Sequence, residues 1–142
     1  MTVVDEDVID IFARTLPGVV ADAPALPSDV ALAERLGTDP RCLRELRRAG
    51  LIAPRRLGRG WIYFAEDIRR ASVLVALLAL GAEVSELPRA LHRSDDTSPV
   101  ARSRALLEAV QQRNTDRLAG ARALERVLLT DTEVFSGADL AS

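Results

Sequence analysis

A chain of 142 residues, 48% of them apolar and with a mean hydropathy of +0.06, can bury one core but is short for two independent domains that each enclose a pocket. The longest apolar stretch, Ala71 to Leu80, is about half the roughly 20 residues a membrane span needs, and Met1 to Ile11 is acidic where a signal peptide is basic, so a cytoplasmic protein with no membrane partner is expected. A single cysteine, Cys42, excludes an internal disulfide, and with only His92 as a soft companion it cannot make up a zinc site, so neither metal nor cofactor is expected.

All 19 basic residues are arginine. Residues 1 to 29 hold one arginine against six acids (net −5), residues 30 to 70 hold ten against five (net +5), and residues 71 to 142 hold eight against ten (net −2). The overall charge of −2 therefore hides a basic middle that attracts a polyanion.

In chain order, Val4, Val8, Ile11 and Phe12 lie on one stripe of a short helix that Leu16-Pro17-Gly18 ends. Residues 17 to 28, with Pro17, Gly18, Pro24 and Pro27, read as a linker, and the folded unit is expected to begin near Ser28. Ser28 or Asp29 can cap a helix through Val30, Leu32, Ala33 and Leu36 that Gly37 stops. Asp39 then caps a second helix with Pro40 at its first position, closed by Gly50. Two short helices joined by a tight turn make a helix-turn-helix.

On a wheel of 100° per residue starting at Arg41, Ala49, Cys42, Leu46 and Leu43 fall at roughly 80°, 100°, 140° and 200°, whereas Arg47, Arg44, Arg48 and Arg41 fall at roughly 240°, 300°, 340° and 0°. One face can pack while the other presents arginines, as a helix in a major groove requires; only Glu45 interrupts the basic side. Cys42 lies on the apolar side, as a small core residue does.

Leu51–Arg56 and Trp61–Phe64 are β-prone runs around Leu57-Gly58-Arg59-Gly60, a hairpin that carries Arg55, Arg56 and Arg59 beside the basic helix, in the manner of a wing. The glycines lack the longer pattern and the lysine of a phosphate-binding loop. Glu66 to Leu80 reads as a core helix with Ile68, Ala71, Val75 and Leu78 inward, stopped by Gly81, and a shorter helix follows around Ser85 to Leu91 that Pro88 delays or bends. Arg93 to Pro99 reads as a second linker. Residues 100 to 129 hold one helical pattern, about 45 Å long, in which Leu107, Val110, Asn114, Leu118, Ala121, Leu124 and Leu128 form a seam suited to pairing with a second helix. Thr130 to Ser142 are expected to form a frayed tail.

The expected fold is thus mainly α: an acidic N-terminal helix and linker (1–27), a winged helix-turn-helix domain with a small β-hairpin wing (28–93), a long coiled-coil dimerisation helix (98–130) and a tail (131–142). This order of elements resembles the MerR family of bacterial transcription regulators. Leu36-Gly37-Thr38-Asp39-Pro40-Arg41-Cys42-Leu43-Arg44 resembles the family's first-turn pattern, and Ala49 to Arg56 the segment that leads into its wing. Gly60-Trp61-Ile62-Tyr63-Phe64 with Glu66-Asp67-Ile68 resembles its wing pattern and the acidic start of the next helix, and Leu77 to Gly81 its leucine-glycine ending. The resemblance is close over residues 30 to 92 and one of kind over residues 100 to 129. Glu45 and Leu46 stand where the family has aromatic residues, and Ile62 where it has a wing arginine.

The resemblance implies a homodimer that binds double-stranded DNA at an inverted-repeat promoter element, with RNA polymerase or another regulatory protein as a further partner. Basic helix, wing and resemblance together give Arg41, Arg44, Arg47, Arg48, Arg55, Arg56, Arg59 and Tyr63 as candidate DNA-binding residues, of which Arg41 and Arg44 transfer best by position. A competing reading, favoured by Glu45, Leu46 and Ile62, is a protein-interaction module or antagonist with weak or no specific DNA binding. An enzyme is not expected, since one His, one Cys and no clustered carboxylates give no nucleophile, base or metal set. About 13 tail residues cannot enclose a drug-sized effector. The acidic segment 1 to 29 either docks on the basic surface or recruits a partner, or is one more packing helix.

Overall fold

A computed structural model describes residues 4–20 and 23–141, with side chains as far as Thr130. It is mostly helical, with one two-stranded antiparallel hairpin and a long C-terminal helix. Two compact units divide it, Met1–Glu108 and Ala109–Ser142. No single described helix is long and apolar enough to cross a membrane.

Helix α1 (Glu6–Thr15) starts where the Asp5 carboxylate accepts the Asp7 N–H at 3.0 Å, and it ends where the Leu16 N–H reaches the Phe12 carbonyl at 2.8 Å, just before Gly18 turns the chain at φ 77°. Its buried side chains are Val8, Ile9 and Phe12, at 0%, 1% and 0% exposure, so Ile9 takes the inward place the spacing gives to Ile11. They face α4 (Ala65–Leu80) and α5 (Leu87–Leu91). Glu6 pairs with Arg70 and Asp10 with Arg69 (2.6 Å), both on α4; burial holds the Arg70 pKa below its ordinary value. Val4 pairs with His92 in an antiparallel bridge, and the Asp5 N–H donates to the Leu91 carbonyl at 2.6 Å. The Asp5 carboxylate takes a hydrogen bond from Arg102, whose guanidinium also donates to the His92 carbonyl. Both ionic side chains are buried, and removing either strands the other at a cost of about 3–5 kcal/mol. Helix α1 is therefore a packing helix, laid against α4 and α5.

The segment read as a linker is pinned as well. The Val20 N–H donates to Ser72 Oγ at 2.9 Å, and Leu26 exchanges both backbone hydrogen bonds with Tyr63, at 2.8 and 2.9 Å. The expected boundary at residue 28 thus falls inside the first compact unit, because backbone pairing and apolar burial cross it.

α2 (Asp29–Leu36) is capped by Ser28, whose hydroxyl accepts the Ala31 N–H at 3.1 Å, and stops at Gly37 in the left-handed region, φ 69°. A Cβ there would strain the tight turn into α3 (Pro40–Arg48), which Asp39 caps by accepting the Arg41 N–H at 2.8 Å. The strands are shorter than the β-prone runs: β1 (Arg55–Leu57) and β2 (Gly60–Ile62) pair Arg55 with Ile62, Arg56 with Trp61 and Leu57 with Gly60. Leu51 and Ile52 are instead buried ahead of the hairpin.

α4 buries Ile68, Ala71, Ser72, Val73, Leu74 and Leu77, which surround nearly its whole circumference, while Val75 and Leu78 are half-buried. One inward stripe is insufficient because α1 and α2 both cover this helix. A 3-10 turn (Val84–Glu86) precedes α5, with Pro88 in its first turn, where no N–H is needed. The last helix, α6, runs from Pro99 to Ala141. It begins where Ser98 Oγ accepts the Ala101 N–H at 3.1 Å and buries Arg102, Ser103 and Leu106 in its opening turns. It continues through residues 131–141, read from sequence as a tail; their side chains, and Ser142 altogether, lie outside the described residues.

Replacing Phe12 by Ala removes a ring with no exposed surface and is expected to destabilise the first unit by about 3–5 kcal/mol in chemical denaturation. A helix lying loosely on the surface would tolerate the change at well under 1 kcal/mol.

Candidate nucleic-acid interface

The apolar side of α3 is anchored by Leu43 and Leu46, both at 0% exposure, with Cys42 half-buried beside them. Arg41, Arg44 and Arg48 lie on the opposite side and are exposed, as is Glu45. The helix thus divides as its wheel predicts, with one change: Arg47 is on the shoulder and turns inward.

Arg47 is held by three groups. Its Nη1 and Nη2 donate to the two carboxylate oxygens of Asp29 at 2.9 and 3.3 Å, Nη1 also donates to the Tyr63 hydroxyl at 3.1 Å, and the guanidinium lies 4.6 Å from the centroid of Trp61. The Tyr63 hydroxyl in turn donates to Asp29 Oδ1 at 2.5 Å, so one carboxylate at the start of α2 joins α3 to the end of the wing. Burial works against the charge on Arg47, but the hydrogen bond and attraction of Asp29 outweigh it and the Arg47 pKa is raised.

Arg47 and Tyr63, both candidates for DNA contact from sequence, are thus framework to the surface. Tyr63 has no exposed area, its ring lies in the core, and its hydroxyl is engaged by protein groups. Of the eight candidate residues, the exposed set is Arg41, Arg44 and Arg48 on α3 and Arg55, Arg56 and Arg59 on the hairpin.

Two of the three hairpin arginines lie over aromatic rings. Arg56 stands 5.3 Å from the Trp61 centroid, on the ring Arg47 also approaches, and Arg55 stands 5.4 Å from that of Phe64. Gly58 at φ 61° closes the turn, leaving Arg59 and the 67% exposed Leu57 at the tip. Stacking holds long side chains in place at lower entropic cost, so Arg55 and Arg56 are partly ordered on the surface.

Sequence reasoning missed Asp29, Trp61 and Leu26. A signal for Asp29 was present: once Ser28 serves as the cap, the adjacent carboxylate is spare at the start of a helix. Trp61 and Leu26 act through contacts distant in sequence, which periodicity does not register.

The dimerisation candidates divide into two groups. Leu107 is half-buried and Val110 is 4% exposed within the single chain, whereas Asn114, Leu118 (53%), Ala121, Leu124 (60%) and Leu128 (57%) are exposed. Val127 and Leu129, at 56% and 58%, add to the exposed apolar surface.

The family model of MerR HTH regulatory proteins matches residues 30–94, from α2 to just beyond α5. No curated protein and no solved structure matches the chain.

Burial first, and then the hydrogen bond to Asp29 and its charge, hold the Tyr63 phenol protonated well above the ordinary value of 10.0, although Arg47 opposes them. A folded pKa raised above the unfolded one contributes stability that is complete below pH 10 and is lost as pH climbs through the folded value. Because Tyr63 is the only tyrosine, tyrosinate absorbance reports it alone. The native chain is expected to show no ionisation at pH 10, to unfold more easily as pH rises further, and to lose that alkaline dependence in Tyr63→Phe.

Proposed function

We propose, from the premise that residues 30–94 form a helix-turn-helix domain of the MerR regulatory family and that the chain is accordingly a DNA-binding transcription regulator, that it acts as a homodimer on an inverted-repeat promoter element. The observation that supports this reading best is the segregation on α3. Two fully buried leucines fix one side of a short helix, and three exposed arginines occupy the other, next to three more on the wing. In this reading α3 enters a major groove, with Arg41, Arg44 and Arg48 reaching base edges and phosphates, while Arg55, Arg56 and Arg59 hold the flanking backbone. Six cations on one surface give binding a steep salt dependence through counterion release.

The homodimer rests on α6. Leu118, Leu124 and Leu128 are exposed on a helix of one chain, and a second copy in coiled-coil register covers them. Two copies related by a two-fold axis then read two half-sites of opposite direction, which is why the element is an inverted repeat.

The test is selection of genomic DNA fragments by the purified full chain at two salt concentrations. An enriched inverted repeat whose affinity drops with salt is expected, with Arg44→Ala weakening it by about 1–3 kcal/mol. Weak binding without enrichment rejects sequence-specific recognition. In sedimentation, Leu118→Asp combined with Leu124→Asp is expected to give a monomer that keeps its helix content and loses operator affinity; an unchanged mass rejects the coiled coil.

A further inference from the structure

Glu45 is the one acid on α3 and lies among its exposed arginines. It stands four residues after Arg41 and three before Arg48, the spacings at which helical ion pairs form. Yet the ion pairs that join Arg47 to Asp29, Arg69 to Asp10, Arg70 to Glu6 and Arg102 to Asp5 do not include the Glu45 carboxylate. On the wheel it lies at roughly 40°, about 160° from Arg47, which faces the wing, so it occupies the flank of α3 turned away from the hairpin.

An unpaired carboxylate on a surface that meets phosphates is repelled by every duplex unless a base gives it a proton to share. In the major groove the donors are the exocyclic amino groups of cytosine and adenine. Adenine sets the N7 lone pair beside its amino group; a carboxylate has no proton to offer N7 and meets repulsion there, whereas an amide satisfies both atoms. Cytosine has a C–H next to its N4 amino group, so a carboxylate accepts from N4 without that penalty.

We propose, resting on the reading of α3 as the helix that enters the major groove, that Glu45 is a specificity-determining residue that accepts a hydrogen bond from the N4 amino group of one cytosine in each half-site, on the side away from the wing. The six arginines then supply attraction to any duplex, and the single carboxylate subtracts from it everywhere except where that cytosine is present. Discrimination comes from a penalty lifted by the correct base as much as from a bond gained.

The experiment measures affinities of the full chain, of Glu45→Gln and of Glu45→Ala for a set of duplexes in which each operator position is varied in turn. The wild-type chain is expected to prefer cytosine at one position per half-site by about tenfold or more. Glu45→Gln moves that preference to adenine at the same position, and Glu45→Ala abolishes it there, leaves the other positions as they were and tightens binding to unrelated DNA. If both variants bind every duplex more tightly by one common factor with base preferences unchanged, Glu45 is only a repulsive charge and the proposal fails while the DNA-binding reading stands. If the wild-type chain discriminates at no position, the sequence-specific reading fails first and takes this one with it.

Discussion

One carboxylate ties together the elements that carry the exposed arginines. Asp29 accepts from Arg47 on α3 and from Tyr63 at the end of the wing, so three elements that converge from separate parts of the sequence meet on its two oxygens. The side chains of Asp29 and Arg47 are each 19% exposed, which strengthens their interaction relative to one in open water but charges a desolvation cost against it. Geometry is what the cluster can supply more readily than net stability. With Leu43 and Leu46 buried on one side and the guanidinium of Arg47 fixed against Asp29 and Trp61, α3 has a defined rotation about its axis, and Arg41, Arg44 and Arg48 face outward together. Trp61 then carries Arg56 on the same ring, extending the arrangement into the hairpin.

The N-terminal segment reaches the same cluster from the other side. Its first residues join α5 and the start of α6 through Val4, Asp5, His92 and Arg102, its helix fills the space over α4, and its last residues pair Leu26 with the backbone of Tyr63. Asp5, Glu6 and Asp10 meet arginines of α4 and α6, while Asp29, the last acid of the segment, meets Arg47 on α3.

Sequence and structure agree where the determinants are local. Ser28, Gly37, Asp39, Pro40 and Gly81 each act within a turn of the helix they start or stop, and every one occupies the place its chemistry suggests. The division of α3 into leucine and arginine sides was legible for the same reason. Disagreement begins where a residue's role is set by partners far along the chain. Arg47 and Arg44 read alike in a wheel, and only the position of Asp29, 18 residues earlier, separates a structural arginine from an exposed one. Tyr63 fits a family pattern, but its burial depends on Leu26 and Asp29. The spacing in α4 predicts one inward stripe because α1, which covers its other side, lies across a proline-rich segment of the sequence. In α6 a regular apolar seam does not reveal which of its positions the chain itself buries: Val110 is buried and Leu118 is exposed.

The most direct test of this account is the DNA affinity of Asp29→Asn, measured at fixed salt and well below its unfolding temperature. The substitution leaves all six exposed arginines in place and removes one negative charge, so electrostatics alone strengthens binding. If the Asp29 cluster sets the relative positions of α3 and the wing, affinity for the selected DNA falls several-fold despite the added positive charge. An affinity that is unchanged or higher contradicts the account and reduces the cluster to a contribution to stability.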